Sequence, residues 1–553
     1  MCPDKIVGVN PRLVLPSLRR LAGEHKLFTG ALAAGALVRL LVSIGYPGAL
    51  WFAGDSYVYL GAALRPQPNL SKSTGYSFFL RLLLPFHSLT LVTVVQHLMG
   101  LAVAVLIYIL LRRSNVSKMW SAIATLPVLL DGYIIEDEHL IMAETVFTFC
   151  LMIALTLLLW KPKTPWVSAV IAGLLTGYAA IDRSEGAIMC VILPLFLLLR
   201  GWSWKTLRGW GIALVFAVAA LVPIGGYMSW FHQRTGHYGV SMSTGFYLWG
   251  RVSSFADCAR IKPTGDEAKV CPTTPIADRT PPGNFVWHAP QVHATKDANG
   301  VLHGSQFMWD TGGPVTPANN KLLQDFAIHA VEAQPLSYAK TIFFNTMLSF
   351  GFPRIAYPGA GTTFYYNFHL HYVTHGKNAY TTLPPDNPDH EWIPGGTAYQ
   401  DWMAYGHQAP GVIHKIVAIP VLIYQRVVFT YGPLLAVIFL VGLGGLISVT
   451  AAGRRGKGLR SLLSVRALAS VRLHWAPRGT TMLLGQRGRA AGLPDPARRL
   501  RLPLPAAGHP VRLPGGRPGV RPAPHQPGAA AGPGAREHRV SGSRPGRLVR
   551  QVA

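Results

Sequence analysis

Long apolar runs separated by short charged connectors dominate the chain. Leu27–Leu50, Leu89–Leu111, Leu140–Trp160 and Gly211–Trp230 each match the roughly 17–25 residues that cross a bilayer as a helix. Met119–Ile135, Trp166–Ile181 and Gly186–Leu199 have the same texture at shorter length. After a long polar stretch, Val427–Thr450 is an eighth run. Tyr76–Phe86 is too short to span and predicts a helix lying in the interface. Gly411–Gln425, apolar but carrying His414 and Lys415, predicts another, leading into the last run.

The connectors alternate in charge. Arg19, Arg20 and Lys26 precede the first run; Arg112, Arg113 and Lys118 join the second to the third. Lys161 and Lys163 follow the fourth, Arg200, Lys205 and Arg208 the sixth, and Arg454, Arg455, Lys457 and Arg460 the eighth. Basic residues concentrate on the cytoplasmic side of membrane proteins, so this pattern predicts a cytoplasmic N-terminus. The first run, lacking a small-residue cleavage site, reads as a retained signal anchor. The remaining connectors, with Asp55, Glu136-Asp137-Glu138 and Asp182-Arg183-Ser184-Glu185, then face outward.

Composition supports the same class. Of 553 residues, 50% are hydrophobic and only 14% charged, against about a quarter charged in soluble domains. Mean hydropathy is +0.28. The net charge of +27 belongs mostly to the last 101 residues, which hold 20 Lys and Arg against 2 Asp and Glu. No folded basic face or nucleic-acid motif accompanies them, so no nucleic-acid partner is expected. The organisation expected is a basic cytoplasmic segment 1–26, a seven-span core 27–230, an irregular outer domain 231–410, an interfacial helix and span 411–452, and an Arg/Pro/Gly-rich tail 453–553.

That tail has 19 Arg and one Lys. Its composition is that of GC-rich codons in a shifted reading frame. Advancing Leu500-Arg501-Leu502-Pro503-Leu504 and the residues after it by one base permits an apolar, membrane-like string by codon choice alone. The other reading is a basic tail touching anionic lipid. Of the five cysteines, Cys150 and Cys190 fall in apolar runs, and Cys258 and Cys271 fall in the long polar region. The latter two are expected to pair if that region lies outside the cytoplasm.

Several residues could carry chemistry. Asp55, in Gly54-Asp55-Ser56, lies just past the first run; it is a base for a hydroxyl, a metal ligand, or a solvated acid capping the next helix. Glu136 and Asp137 read as a hydrated loop, with Glu138 and His139 beside them. Glu144 falls inside the fourth run, where a carboxylate is expensive and marks function or pairing within the bundle. Arg183 presents a donor fork suited to phosphate, or pairs with Asp182 or Glu185. Arg39, inside the first run, is a buried pair or snorkels. His369, His371 and His375, with Asp389-His390-Glu391, read as ordinary loop residues, a metal site being the alternative. Asn69-Leu70-Ser71 is a weak glycosylation sequon, and no P-loop, G-x-G-x-x-G or H-E-x-x-H is present.

Together, Gly54-Asp55-Ser56, Gln96-His97, Glu138-His139-Leu140-Ile141-Met142-Ala143-Glu144, and Gly173-Leu174-Leu175-Thr176-Gly177 leading to Asp182-Arg183 form an ordered set. In this the chain resembles the membrane glycosyltransferases of the GT-C fold. The nearest likeness is to the bacterial group similar to dolichyl-phosphate-mannose–protein mannosyltransferases and lipid A aminoarabinose transferases (glycosyltransferase family 39-like). The likeness covers about residues 27–230, and more loosely reaches 450. It implies an α-helical polytopic membrane protein with a GT-C-like core of about seven transmembrane helices, a large mixed extracytoplasmic loop domain and at least one further span. It implies a sugar donor on a polyprenyl phosphate, transfer at the outer face of the plasma membrane, and a lipid, glycan or protein acceptor. Asp55 matches the family's proposed base; Glu138 and Glu144 match acidic positions for acceptor positioning or metal. Arg183, with His139, is the candidate for the donor phosphate. A divalent metal stays open as cofactor. Ser56 departs from the Asp-Glu pair common in the mannosyltransferases, which weakens a protein acceptor. The family's later spans and their Arg/Tyr motif are missing, in keeping with a shifted frame. A transporter or lipid flippase is the rival class, although no internal repeat or pair of broken helices is apparent. A structural membrane protein is a third reading.

Overall fold

The described chain is mostly helical, as expected where apolar runs in lipid have no water to satisfy their backbone groups and must bond internally. The computed structural model describes residues 23–454, apart from 297–299, 353, 358–362, 371, 375–376, 380–392 and 407–411. The tail from 455 onward, the N-terminal segment to 22, His371, His375 and Asp389-His390-Glu391 lie outside the described residues.

Helix α1 (Lys26–Gly45) leads through an extended connector to α2 (Ala53–Leu64) and the short α3 (Gly75–Leu83). A 3-10 turn at Leu84–Phe86 follows, where Pro85 ends the helix. A short helix therefore forms where an interfacial one was expected, with Tyr76, Phe79 and Leu80 buried and Leu82 exposed. Helix α4 (Leu89–Arg113) starts at Ser88, whose hydroxyl accepts from Leu91 N at 3.1 Å. It closes on Arg112 and Arg113, cations at the negative end of the helix dipole.

The third run is corrected by the structure. Met119–Ile135 is no single helix but three short ones, α5 (Lys118–Ile123), α6 (Leu126–Leu130) and α7 (Gly132–Asp137). Pro127 starts α6, and Asp131 caps α7 by accepting from Tyr133 N at 2.9 Å. The fourth run begins four residues late, at α8 (Glu144–Leu159), so Glu144 stands at the helix start and not within a span. Residues Leu140–Ala143 instead run beside the α1–α2 connector. There Leu50 N donates to His139 O at 3.0 Å and Ile141 N donates to Leu50 O at 3.1 Å.

Helices α9 (Trp166–Asp182), α10 (Gly186–Leu199) and α11 (Leu207–Thr235) pack tightly. Gly173 and Gly177 of α9 lie against the α11 backbone at Phe216 and Ala220, so a Cβ at either position would strike a carbonyl. This small-xxx-small spacing is how helices approach closely where lipid offers no hydrophobic drive.

A separate core follows. Phe246 and Trp249 on α12 (Thr244–Ser253) pack with Phe285 of α13 (Pro282–His288) and Phe326 of α14 (Pro317–Ala333). The Trp249 indole donates to Val270 O at 2.9 Å. A disulfide joins Cys258 to Cys271, their Cα atoms 6.4 Å apart. The described residues also form two small antiparallel hairpins, β1–β2 (Ala294–Lys296 with Leu302–Gly304) and β3–β4 (Tyr372–Thr374 with Lys377–Ala379). Helix α15 (Pro335–Leu348) buries none of its residues. Helices α16 (Lys415–Val427) and α17 (Gly432–Arg454) meet at a bend of 53°.

Among the described residues, α1, α4 and α11 are long and apolar enough to cross a membrane, and the α16–α17 pair adds a fourth if it is one broken span. The other apolar helical segments, 75–86 and 118–130 taken whole, run 10–17 residues. The fold is that of an α-helical membrane protein.

Candidate functional site

Two polar clusters lie inside this helical frame, and they divide the expected site residues between them. The first is fully buried. Arg39, on the inner face of α1, closes a fork on Glu138: Nε to Oε2 at 2.7 Å and Nη2 to Oε1 at 2.6 Å. Its remaining protons go to the carbonyls of Leu129, Val128 and Gly35. His97 of α4 meets Glu138 Oε2 through Nδ1 at 2.9 Å and His139 Nδ1 through Nε2 at 3.0 Å. His139 Nε2 donates to Tyr46 O at 2.8 Å, because a carbonyl can only accept. Its Nδ1 therefore accepts from His97. Burial, and then the nearby His97, hold the His139 imidazole down at about 3, so it stays neutral. Gln96 completes the cluster, donating to Glu138 O and Leu140 O and accepting from the Tyr76 hydroxyl.

This alters the roles expected of Glu138 and His139. Every oxygen of Glu138 is committed and its side chain is 2% exposed. His139 is wholly buried. Neither faces a space a donor phosphate or acceptor could enter. Arg39 is the buried pair, not a snorkelling side chain. Glu136, expected in a hydrated loop, is also buried, with Gln425 Nε2 at 3.4 Å from its Oε2.

The second cluster is half open. Asp55 sits in the first turn of α2, at the positive end of the helix, and is 38% exposed. Phe52 and not Asp55 occupies the cap, and Asp55 pairs with Lys72. Ser56 turns the other way, its hydroxyl bonded to Ile141 O at 3.0 Å. Glu144 opens α8 and pairs with Arg183 through Oε1, while Oε2 is buried without a partner. Arg183 ends α9 and also reaches Glu185 at 3.4 Å. Burial acts to weaken the Arg183 cation, and Glu144 and Glu185 outweigh it, so the guanidinium is held firmly charged.

Asp55, Glu144, Asp182 and Arg183 all act electrostatically on the Tyr59 hydroxyl, which burial above all pushes well up. Asp55, Asp137, Glu144 and Arg183 act likewise on Tyr366. The charges of Asp55 and of the Glu144–Arg183 pair thus converge on Tyr59 and Tyr366, while Glu138 and His139 belong to the buried cluster. Reasoning from sequence missed Tyr59, Lys72, Tyr366 and Asp137 as members. Lys72, three residues after Asn69, and Tyr59, on α2 four residues after Asp55, are the two that helix spacing and loop charge could have suggested.

Among the described residues no three His, Cys, Asp or Glu side chains are placed to hold a metal ion. His369 instead meets Phe364 O at 2.9 Å and stacks on the Phe364 ring. Asn69 folds into a local turn, its Oδ1 accepting from Ser71 N at 2.8 Å. Comparison of the chain with protein-family models and with known proteins finds no match.

Proposed function

We propose that this protein is an integral membrane glycosyltransferase that moves a sugar from a polyprenyl-phosphate donor to an acceptor outside the cytoplasm. The observation that carries this reading is the convergence of the charges of Asp55, Glu144 and Arg183 on Tyr59 and Tyr366, from three connectors far apart in sequence. A carboxylate and a guanidinium at the edge of an apolar bundle answer the two needs of the reaction. The acceptor hydroxyl loses its proton to Asp55 as its oxygen bonds to the anomeric carbon. The bond from that carbon to the phosphate oxygen breaks, and the lipid phosphate leaves with the electron pair toward Arg183. Glu144 is a positioning residue, fixing the fork of Arg183 through one oxygen. Lys72 must release Asp55 for the base to act.

Glu138 and His139 have no direct part in this reading. They tie α1, α4 and the segment before α8 into one unit, against which Leu50 and the start of α2 are set. The topology that accompanies it is a GT-C-like core of seven spans, the broken α5–α7 segment being the third, with an N-terminus in the cytoplasm, the core in the plasma membrane, and the 231–410 region outside. The shorter helices α8, α9 and α10 would cross with their ends in the interface.

Transfer from a radiolabelled polyprenyl-phosphate sugar into membrane acceptors tests it. The chain should transfer label, and Asp55→Asn at equal expression should lose it by at least about a hundredfold, the usual share of a general base. No transfer, with the frame-corrected chain equally inactive, would overturn the class. Transfer indifferent to Asp55 would remove the base.

A further inference from the structure

An open cavity near the second cluster holds none of the residues given a part in the reaction just described. It is a cavity of about 560 Å³ between the end of α15, residues 349–352 and 354–357, α7 and the α16–α17 bend. Its polar lining includes Asn345, Arg354, Tyr357, Tyr366 and two carboxylates, Asp137 and Asp131, the latter held by the backbone N–H groups of Tyr133 and Thr430. Arg354 lies over the face of Tyr133, 3.2 Å from the ring centroid. The Tyr357 hydroxyl donates to Asn345 Oδ1 at 2.8 Å, leaving Asn345 Nδ2 buried with no partner. A buried amide donor without a partner is costly and implies a group that should meet it.

The surroundings are apolar and exposed. Phe344 and Leu348 on α15 are 55% and 41% exposed, and Phe439 on α17 is 62% exposed. The ring of Phe350, just past α15, lies 6.1 Å from that of Phe439. Gly432, at the start of α17, packs directly on the backbone of Phe350 and Gly351. The end of α15 thereby packs on a helix that, with α16, is apolar enough to cross a membrane, and the strip between them is apolar and exposed. The cavity also reaches the proposed site, since Asp137 and Tyr366 line it and both feel the charges of Glu144 and Arg183.

We propose that this cavity binds the head group of a hydroxylated, anionic amphiphile, with its acyl chain along the apolar strip between α15 and α17. Arg354 faces the anionic group, and Asn345 and Tyr357 take head-group hydroxyls. As the seat of the acceptor, the cavity rests on the transfer reading and makes that acceptor a lipid. As a binding site it stands without it.

The probe is phosphatidylinositol, which joins hydroxyls, a phosphate and acyl chains. Native mass spectrometry of the full chain in detergent measures its retention. The wild type should hold it, and Arg354→Gln should hold about tenfold less, the factor that one lost charge-assisted hydrogen bond carries. Arg354→Lys should recover part of the difference. Asn345→Leu should weaken retention too, and serves if Arg354→Gln does not fold. Free inositol phosphate should compete only at about a hundredfold excess or more, since it lacks the buried chain. Equal retention by wild type and both variants would overturn the site. Displacement by equimolar inositol phosphate would overturn the lipid strip. Retention is measured with no sugar donor present, so failure of transfer and failure of binding are read separately.

Discussion

Arg39 and Glu138, 99 residues apart, form a two-pronged ion pair at 2.6 and 2.7 Å in the interior of the bundle. Gly100 makes it possible. A Cβ at that position of α4 would occupy the space of the Glu138 carboxylate. The pair joins α1 to the segment that leads into α8, and so sets the position of Glu144 without touching it.

Breaking this pair from one side leaves an uncompensated charge in the bundle. Glu138→Ala and Arg39→Ala should each cost about 3–5 kcal/mol. Replacing both by apolar residues of similar size should cost much less. Thermal unfolding of the purified chain in detergent checks this. Single variants as stable as wild type would show that the pair contributes nothing to the fold.

The neutral state of His139 makes stability depend on pH in a defined direction. Its folded value is about 3, and the free side chain titrates near about 6.5. Below that value the unfolded chain takes up a proton the folded chain refuses. The contribution is complete above about pH 6.5 and falls with pH by up to about 1.4 kcal/mol per unit until the folded value is reached. Denaturation midpoints measured from neutral to acid pH should show this slope, and His139→Asn should lessen it by one proton.

Arg183 and Glu144 should separate by kinetics. Arg183→Gln is expected to lower kcat/KM for transfer by about 10²–10³, the effect of removing a donor to a developing anion. Arg183→Lys keeps the charge but loses the planar fork, and should recover only part of the rate. Glu144→Gln keeps the shape and should raise KM for the donor more than it lowers kcat. A Glu144 variant that loses kcat alone would assign that carboxylate a direct part.

Close packing of α9 on α11 depends on two glycines. Gly177→Val should lower stability by about 1–3 kcal/mol through the forced separation of the helices. Gly225, on the same α11 but with open space around it, should accept alanine with little effect on the melting temperature. A Gly177→Val protein melting like wild type would remove the packing argument.

The disulfide closes a short loop, the two cysteines being 13 residues apart. Cys258→Ser with Cys271→Ser should destabilise the core built on Trp249 and Phe326 by about 3 kcal/mol. Limited proteolysis of the 244–333 region checks it, with the intact α1–α11 bundle as the internal control.

Most of the helical architecture was legible in one dimension. The apolar runs mark α1, α4, α8, α9, α10, α11 and α17 to within a few residues, because a segment in lipid must satisfy its own backbone. The break of the third run at Pro127 and Asp131 carried a signal that its apolar texture hid. The candidate site was legible only in part. Asp55, Glu144 and Arg183 stand out as charges beside apolar runs, and in the structure those charges converge on Tyr59 and Tyr366. Glu138 and His139 stand out for the same reason and belong elsewhere, since hydropathy and spacing cannot tell a buried anchor from an open acid.

The sequence by itself determined which segments are apolar enough to leave water, where charges interrupt them and which cysteines are available to pair. These are local properties, set by each residue's affinity for water and by the 3.6-residue period of the helix. Only the tertiary structure decided which charge meets which. Arg39 reaches Glu138 across 99 positions, Arg183 reaches Glu144 across 39, and Asn345 and Tyr366 come to line one cavity. Such partners are chosen by helix packing, in which Gly100, Gly173 and Gly177 matter for the side chains they lack.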